Sequence, residues 1–168
     1  LMVYSPSDKN EKMGWVPFLL DEDSRSGHCR MSMTFYLDGK RYILSVEFDG
    51  TRIYEEQLDV YLTNRPTSLY RRTYNRDTDA SEVTFSTKTK LSQKSQTIIE
   101  GNTINNSTVM AAFGKSNVEL SLLNSVYDFF SLGFADELTP EKSLSDYTKE
   151  LLAKDTDGKL KWFLLYML

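Results

Sequence analysis

The tripeptide Gly114-Lys115-Ser116 is the combination of residues in this sequence that most suggests chemistry. Phosphate-binding loops end in Gly-Lys-Ser or Gly-Lys-Thr, and the complete loop reads GxxxxGK[ST]. The first glycine of that pattern would fall at Val109, and the residues NNSTVMAAF before the tripeptide favour a helix. Without the glycines, backbone amides cannot converge on a phosphate. We therefore interpret the tripeptide as the interruption of a helix.

Acidic residues form two clusters, Asp21-Glu22-Asp23 and Glu55-Glu56. Acid–base catalysis by a carboxylate pair needs two carboxyl groups held across a cleft in different environments. Glu55 and Glu56 are neighbours on a predicted strand, so their side chains point to opposite faces and make a poor catalytic pair. Residues 21–23 have the composition of a solvated turn, and a metal there would need oxygen ligands from elsewhere in the chain.

His28 and Cys29 are the only histidine and the only cysteine. Two adjacent residues cannot supply the three or four protein ligands of a zinc site. Successive side chains on a strand point in opposite directions, so the two also make a poor nucleophile–base pair. We interpret them as residues at the start of a strand. The single cysteine allows no internal disulfide and favours reducing, cytoplasmic surroundings.

A small basic and aromatic cluster surrounds Arg71-Arg72, with Tyr70, Tyr74 and Arg76 as neighbours. Such mixtures can stack on bases and bind phosphates, whereas on an alternating strand half of them would face the core. The net charge of −4 and the pI near 5.1 weaken a nucleic-acid role. A ligand contact through these residues stays open. The sequence assigns no catalytic, cofactor-binding or metal-binding residue.

Three adjacent antiparallel strands are predicted where alternating side chains are interrupted by two Asp-Gly pairs. Asp38-Gly39 suits a type I′ turn, in which both central residues need positive φ, and Asp49-Gly50 turns the chain again. Such alternation is typical of strands with one buried face. The predicted apolar faces are Met31, Met33, Phe35 and Leu37, then Tyr42, Leu44, Val46 and Phe48, then Tyr54, Leu58, Val60 and Leu62.

Two weaker strands are predicted in SLYRRTYN and EVTFSTK, followed by a long polar loop over residues 87–108 with one short strand or helix around residues 96–100. Helical spacing begins after it. Further helices are expected from the N-cap Thr139 and Pro140 to Asp157-Gly158, and from Lys159 onward. The apolar side of the first helix comprises Val118, Leu122, Val126 and Phe130, flanked by Leu123 and Tyr127.

The order of strands first and helices second predicts an α+β fold, with an antiparallel β-meander of about three to five strands and a small group of α-helices after it. The 168 residues, 40% of them hydrophobic, can form a substantial core. We expect a polar arm over residues 1–14 and an antiparallel β region over 15–105 that ends in the polar loop. Residues 106–168 should form a helical region packed with the sheet as one fragment.

The two ends of the sequence favour a piece of a longer protein. Leu1 is not a natural initiator, and the apolar residues 162–168 carry no polar cap. That run is well short of the ~20 residues that a membrane-spanning helix needs. The opening LMVYSPSDKN lacks the pattern of a secretory signal. We therefore expect a cytoplasmic protein without a membrane partner.

The stretch VPFLLDEDSR, followed by FYLDGKRYILSVEFDGTRIYEEQLDVY, resembles the middle of a bacterial AAA-type ATP-binding protein with an ABC/SMC-like ATPase core. Many members are described as abortive-infection or overcoming-lysogenization-type ATPases. Residues 17–25 match the family's Pro-Phe-Leu-Leu-Asp-Glu-like stretch, and Glu56-Gln57-Leu58 matches a Glu-x-Leu near the end of its third strand. STVMAAFGKSNVELSLLNSVYDFF and YTKELLAKDTDGKLKWFLLYML resemble its later helical stretches.

The resemblance implies a parent that binds and hydrolyses ATP with Mg²⁺, forms a homodimer and serves phage defence or nucleic-acid-linked work. The family's Walker A loop would precede Leu1, and its Walker B residues would follow Leu168. No catalytic or nucleotide-binding residue is therefore carried over to this sequence, which should act as a non-catalytic segment in contact with the remainder of its own ATPase core.

Two other classes stay open. The first is a self-contained β-sheet module that binds a protein or peptide, which predicts an open sheet edge or an apolar groove. The second is a small metal-dependent hydrolase or nuclease built from scattered carboxylates. A thermal-shift series with Mg²⁺, Mn²⁺ and Ca²⁺ would test the second, since it predicts stabilisation by at least one of them.

Overall fold

The structure is a computed structural model that describes residues 6, 8–15, 17, 20, 27–132 and 153–154. The chain divides into two compact units, Leu1–Gly133 and Phe134–Leu168. In the second unit only residues 153 and 154 are described, and they are helical. The acidic residues 21–23, the helix predicted from Thr139 except for residues 153–154, and the helix predicted from Lys159 lie outside the described residues. The predicted boundaries of the three regions stay a prediction.

Five strands form one antiparallel sheet in the order in which they follow one another along the chain. The strands are β1 (Cys29–Leu37), β2 (Lys40–Phe48), β3 (Ile53–Tyr61), β4 (Pro66–Asn75) and β5 (Ala80–Phe85). The helices described after them are α1 (Gln93–Asn102), α2 (Val109–Gly114) and α3 (Ser121–Leu132), preceded by a 3₁₀ turn at Thr87–Thr89. The predicted α+β class, an antiparallel meander followed by helices, is confirmed.

The two Asp-Gly pairs turn the chain in different ways. Asp38 and Gly39 have φ angles of 49° and 70°, as the predicted type I′ turn requires. The second turn depends instead on the Asp49 side chain. Its Oδ1 accepts hydrogen bonds from the backbone amides of Thr51 (2.6 Å) and Arg52 (2.9 Å). The aspartate thus organises a loop that joins β2 to β3.

The pairing of β2 with β3 shifts next to this loop. Glu47 lies opposite Glu55, whereas Phe48 lies opposite Ile53. Tyr54 is therefore the extra residue of a β-bulge, and the bulge reverses which side chains face the core. Ile53 is fully buried as a consequence.

The bulge changes the predicted apolar face of the third strand. Leu58 and Val60 are fully buried, as predicted. Tyr54 is only half-buried, and Leu62 lies beyond the end of β3 with 46% of its surface exposed, so the prediction is wrong at these two positions. Glu56 takes the remaining buried position on this face of β3.

The core lies between one face of the sheet and the helices. All four predicted residues of β2 are buried there, but in β1 only Phe35 is buried, while Met31 and Met33 are exposed. The Phe35 ring lies against those of Phe129 and Phe130 in α3, with centroids 5.1 and 5.3 Å apart. These contacts place α3 over one end of β1.

Helix α1 occupies the middle of the segment predicted as a long polar loop, where a short strand or helix was allowed. Ser92 caps it, since its Oγ accepts a hydrogen bond from the Ser95 amide (3.1 Å). Ile99 is its one buried side chain. Helix α3 begins after Val118, later than the periodicity predicts, and it buries Leu123, Val126 and Phe130.

Candidate functional site

Two oppositely charged residues lie side by side in the core. Glu56 on β3 is the direct cross-strand partner of Arg72 on β4, and both side chains, together with that of Tyr70, are 0% exposed. Charged groups are rarely buried unless they are paired and hydrogen-bonded. These three side chains, with the backbone groups they bind in residues 104–110, are called the Glu56 network below.

Each carboxylate oxygen of Glu56 has a partner. Oε1 accepts a hydrogen bond from the Tyr70 hydroxyl (2.7 Å), and Oε2 accepts one from the backbone amide of Val109 (2.9 Å). The nearby Met110 amide also acts to lower the pKa of this carboxylate, against the larger, opposite effect of burial. Val109 and Met110 open helix α2, whose first amides have no partner within the helix. Glu56 therefore binds the start of α2 to the middle of the sheet.

The Arg72 guanidinium binds the loop that precedes α2. It donates hydrogen bonds to the carbonyl oxygens of Ile104 (3.1 Å), Asn105 (3.0 Å) and Ser107. Its Nε and Nη2 also donate to Ser81 Oγ on β5, over 2.9 and 2.6 Å. Nη1 lies 3.9 Å from Glu56 Oε2. A planar, five-donor group suits this arrangement of acceptors, which a lysine could not match.

Burial shifts the pKa of all three side chains. It raises the pKa of Glu56, against the opposing effects of Arg72, Tyr70 and the α2 amides. It lowers the pKa of Arg72 to about 10, so the guanidinium stays charged at neutral pH. The pKa of Tyr70 is well above its usual value because of burial and the nearby Glu56. Tyr70 therefore remains a hydrogen-bond donor to the carboxylate.

The tripeptide that resembled a phosphate-binding loop ends helix α2. A Cβ on Gly114 would lie 2.1 Å from Cε2 of Tyr127, so this glycine leaves room for the tyrosine ring. Ser116 Oγ donates to the Ala112 carbonyl (2.7 Å) and accepts a hydrogen bond from the Asn102 side chain (3.1 Å). Gly114 therefore allows the Tyr127 ring to pack against the helix, and Ser116 forms hydrogen bonds at the end of the helix.

The basic and aromatic cluster predicted around Arg71 and Arg72 is divided by the structure. Arg72 lies in the core, whereas Arg71 is on the opposite face, 3.5 Å from Glu55. Tyr74 bonds to Asp79 through its hydroxyl (2.6 Å) and lies under the guanidinium of Arg52. No single surface therefore presents the predicted cluster within the described residues.

The other sequence candidates keep modest roles. Glu55 is exposed and Glu56 buried, so the two point to opposite faces as predicted. Cys29 begins β1 as predicted, and His28 precedes it, stacked on the Tyr54 ring with a centroid separation of 3.8 Å. Within the part of the chain that the structure describes, no group of three or more His, Cys, Asp or Glu residues could hold a metal ion.

The face of the sheet away from the helices carries a polar groove of about 350 Å³. Its charged residues pair with one another, Arg30 with Glu47 and Arg71 with Glu55. These ion pairs engage the arginines and glutamates that line the groove with one another. Its other lining residues include Ser32, Ser45 and Gln57.

The sequence did not predict the Glu56 network, although its signal was present. Glu56 has the same strand parity as Leu58 and Val60, and Arg72 has the same parity as Tyr70. Opposite charges at core-facing positions of two adjacent strands indicate a buried pair. The Glu-x-Leu motif that carries the family resemblance lies in the middle of β3, not near its end as expected.

Comparison with known proteins identifies no relative: no protein family, no curated protein and no solved structure matches this chain. In the described residues, no helix has the length and apolar character needed to cross a membrane.

Proposed function

We propose that this chain is an internal, non-catalytic segment of an AAA/ABC-class ATPase, and that it couples the nucleotide site of the parent to an effector part. The observation that carries the proposal is the hydrogen bond from the Val109 amide to Glu56. Glu56 belongs to the Glu-x-Leu stretch, and Val109 to the helical stretch, that resemble the family. Two separate stretches of the resemblance thus meet in one buried contact.

The Glu56 network gives this segment a mechanical role. It joins β3 and β4 to α2 through fully buried hydrogen bonds, and β4 to β5 and to the loop before α2 through partly buried ones. Hydrogen bonds in such low-dielectric surroundings are stronger than in water. A displacement of α2 should therefore move the sheet with it.

The chemistry of the parent would lie outside these 168 residues. ATP and Mg²⁺ would be held by a Walker A loop before Leu1 and acidic residues after Leu168, with the remainder of the ATPase core as the direct partner. The resemblance further suggests a homodimeric, cytoplasmic parent in phage defence or nucleic-acid-linked work. Gly114-Lys115-Ser116 takes no part, since its contacts are with Tyr127, Ala112 and Asn102.

Calorimetric titration of Mg-ATP into the 168-residue chain tests the non-catalytic assignment. We expect no micromolar binding and no nucleotide turnover. Detection of micromolar binding or of nucleotide turnover would contradict the proposal. The coding sequence on both sides tests the family. We expect a GxxxxGK[ST] loop upstream and an apolar strand ending in acidic residues downstream. A reading frame that holds these residues alone would contradict it.

A second candidate is a self-contained β-sheet module that binds a protein or peptide. Among the described strands only β2 pairs with β1, and this favours the second candidate because extended segments add to unpaired sheet edges. A shortened chain that ends near Lys154 discriminates between the two. If the module is self-contained, this chain should be more stable and soluble than the 168-residue chain. If residues 155–168 belong to a larger core, it should be less stable.

A further inference from the structure

The two edges of the sheet differ in how their backbone groups are covered. At the β5 edge, the Val83 amide donates a hydrogen bond to Glu100 Oε1 of α1 (3.1 Å). That strand is six residues long and carries the charged Glu82. Covering by a helix, short length and charge are the usual protections of a sheet edge against pairing with another chain.

Within the described residues, strand β1 is longer than β5 and has fewer of these protections. It is nine residues long, contains no proline and only one charged residue, Arg30, which is paired with Glu47. Within the described residues, β2 is the one strand that pairs with it. Met31 and Met33 are 55% and 42% exposed, on the same side as the buried Phe35. A long edge strand with exposed apolar side chains is a template for strand addition.

We infer that β1 pairs with β1 of a second copy of this chain, antiparallel, about a two-fold axis at Met33. Met33 is the central residue of β1, so this register pairs the strand over its full length. The same register keeps the apolar faces of both copies on one side of a continuous ten-stranded sheet. An isologous interface of this kind closes as a dimer.

The side chains that this register brings together are complementary. On the apolar side, Met33 faces Met33 of the second copy, and Met31 faces Phe35. On the polar side, Arg30 faces Tyr36, and Ser32 faces Thr34. No two like charges oppose each other, and apolar or hydroxyl pairs directly opposite one another stabilise antiparallel strands. A second copy supplies all of these pairs at once over the nine residues of β1.

This inference does not depend on the ATPase proposal, since the pairing needs no nucleotide. Light scattering after size exclusion should give twice the 19.4 kDa mass of the chain without ATP. A chain that stays monomeric when concentrated would overturn it. The Met33→Lys variant should raise the dissociation constant by about tenfold or more, because two ammonium groups would face each other at the axis.

Met33→Glu should weaken the dimer in the same way, and an equimolar mixture of the two variants should restore it, because Lys would then face Glu. A matched control is Ile98→Lys, at a side chain that is 39% exposed on α1, which should leave the dimer unchanged. A dimer that resists both Met33 variants, or a mixture that stays monomeric, would overturn the interface.

Cross-linking tests the register without weakening the dimer. In a Cys29→Ser background, Met33→Cys should form an intermolecular disulfide, since directly opposed Cα atoms lie about 4.5–5.5 Å apart in an antiparallel pair. Tyr36→Cys is the control and should not cross-link, because Tyr36 faces Arg30 in this register. Cross-linking at residue 36 but not at residue 33 would contradict the proposed axis.

Discussion

Glu56 Oε2 lies 2.9 Å from the backbone nitrogen of Val109, and this single contact joins the third strand to the first turn of α2. The carboxylate is completely buried, and Tyr70 and Arg72 lie beside it. Removing either charge leaves the other in the core without compensation.

Glu56→Gln should lower the free energy of unfolding by about 3 kcal/mol, because Arg72 would remain buried and charged without its counter-ion. Urea denaturation monitored by circular dichroism measures the change. Glu55→Gln is the matched control, since the Glu55 side chain is 53% exposed, and it should change stability by no more than about 0.5 kcal/mol. Equal, small effects of both variants would contradict a structural role for the pair.

Arg72→Lys should also destabilise the protein, by roughly 2–4 kcal/mol, although the charge is kept. An ammonium group cannot satisfy the carbonyl oxygens of Ile104, Asn105 and Ser107 together with Ser81, so buried acceptors lose their partners. Hydrogen exchange should show faster opening of residues 103–110. Arg71→Lys on the exposed face is the control and should leave hydrogen exchange of these residues unchanged. If residues 103–110 of Arg72→Lys exchange as slowly as in the unmodified protein, the prediction is refuted.

The loop between β2 and β3 predicts a dependence of stability on acid pH. Although burial acts to raise the pKa of Asp49, hydrogen bonds from Tyr54, Thr51 and Arg52 lower it to about 2. A carboxyl group whose pKa is lower in the folded state contributes stability above its unfolded pKa of 3.8 and loses that contribution as the pH falls toward 2.

The unmodified protein should therefore exceed Asp49→Asn in stability by about 1–2 kcal/mol at pH 7, allowing for solvent screening. This difference should shrink between about pH 5 and pH 2. Urea midpoints measured across that interval check the prediction. A difference that stays constant with pH would show that the Asp49 charge does not support the loop.

We expect that residue 114 must be glycine, because the ring of Tyr127 occupies the space that a side chain would need. Alanine normally stabilises a helix relative to glycine by about 1 kcal/mol, but its Cβ would lie 2.1 Å from that ring. Gly114→Ala should therefore destabilise the protein by about 1–3 kcal/mol. In a Tyr127→Ala background the same change should be neutral or stabilising. A double-mutant cycle measures this coupling, and additive effects would argue against the contact.

The sequence predicted the parts of the fold that depend on local chemistry. Asp38-Gly39 specified its turn, and alternation located the first three strands. The two weaker strands expected in SLYRRTYN and EVTFSTK overlap β4 and β5, but β5 ends at Phe85 and a 3₁₀ turn follows it. Helix α1 gave little signal because Ile99 is its one buried residue. The bulge at Tyr54 could not be predicted, since it depends on the loop that Asp49 organises.

The candidate site was harder to predict because its partners are distant in sequence. The sequence predicts that Glu56 and Glu55 point to opposite faces, but the partners that decide the role of Glu56 lie on β4 and α2. Arg72 was grouped with Arg71 by sequence proximity, whereas the alternation of β4 separates them. Met31 and Met33 fit the apolar pattern of β1 but lie at an edge that the described helices do not cover.

ATP turnover by the complete reading frame that contains these residues tests the central proposal most directly. We predict Mg²⁺-dependent hydrolysis that Glu56→Gln lowers by about tenfold or more, with ATP affinity unchanged, because the segment couples motion without binding nucleotide. Glu55→Gln should hydrolyse ATP at the unmodified rate. A complete protein without ATPase activity, or one whose turnover is indifferent to Glu56→Gln, would contradict the proposal.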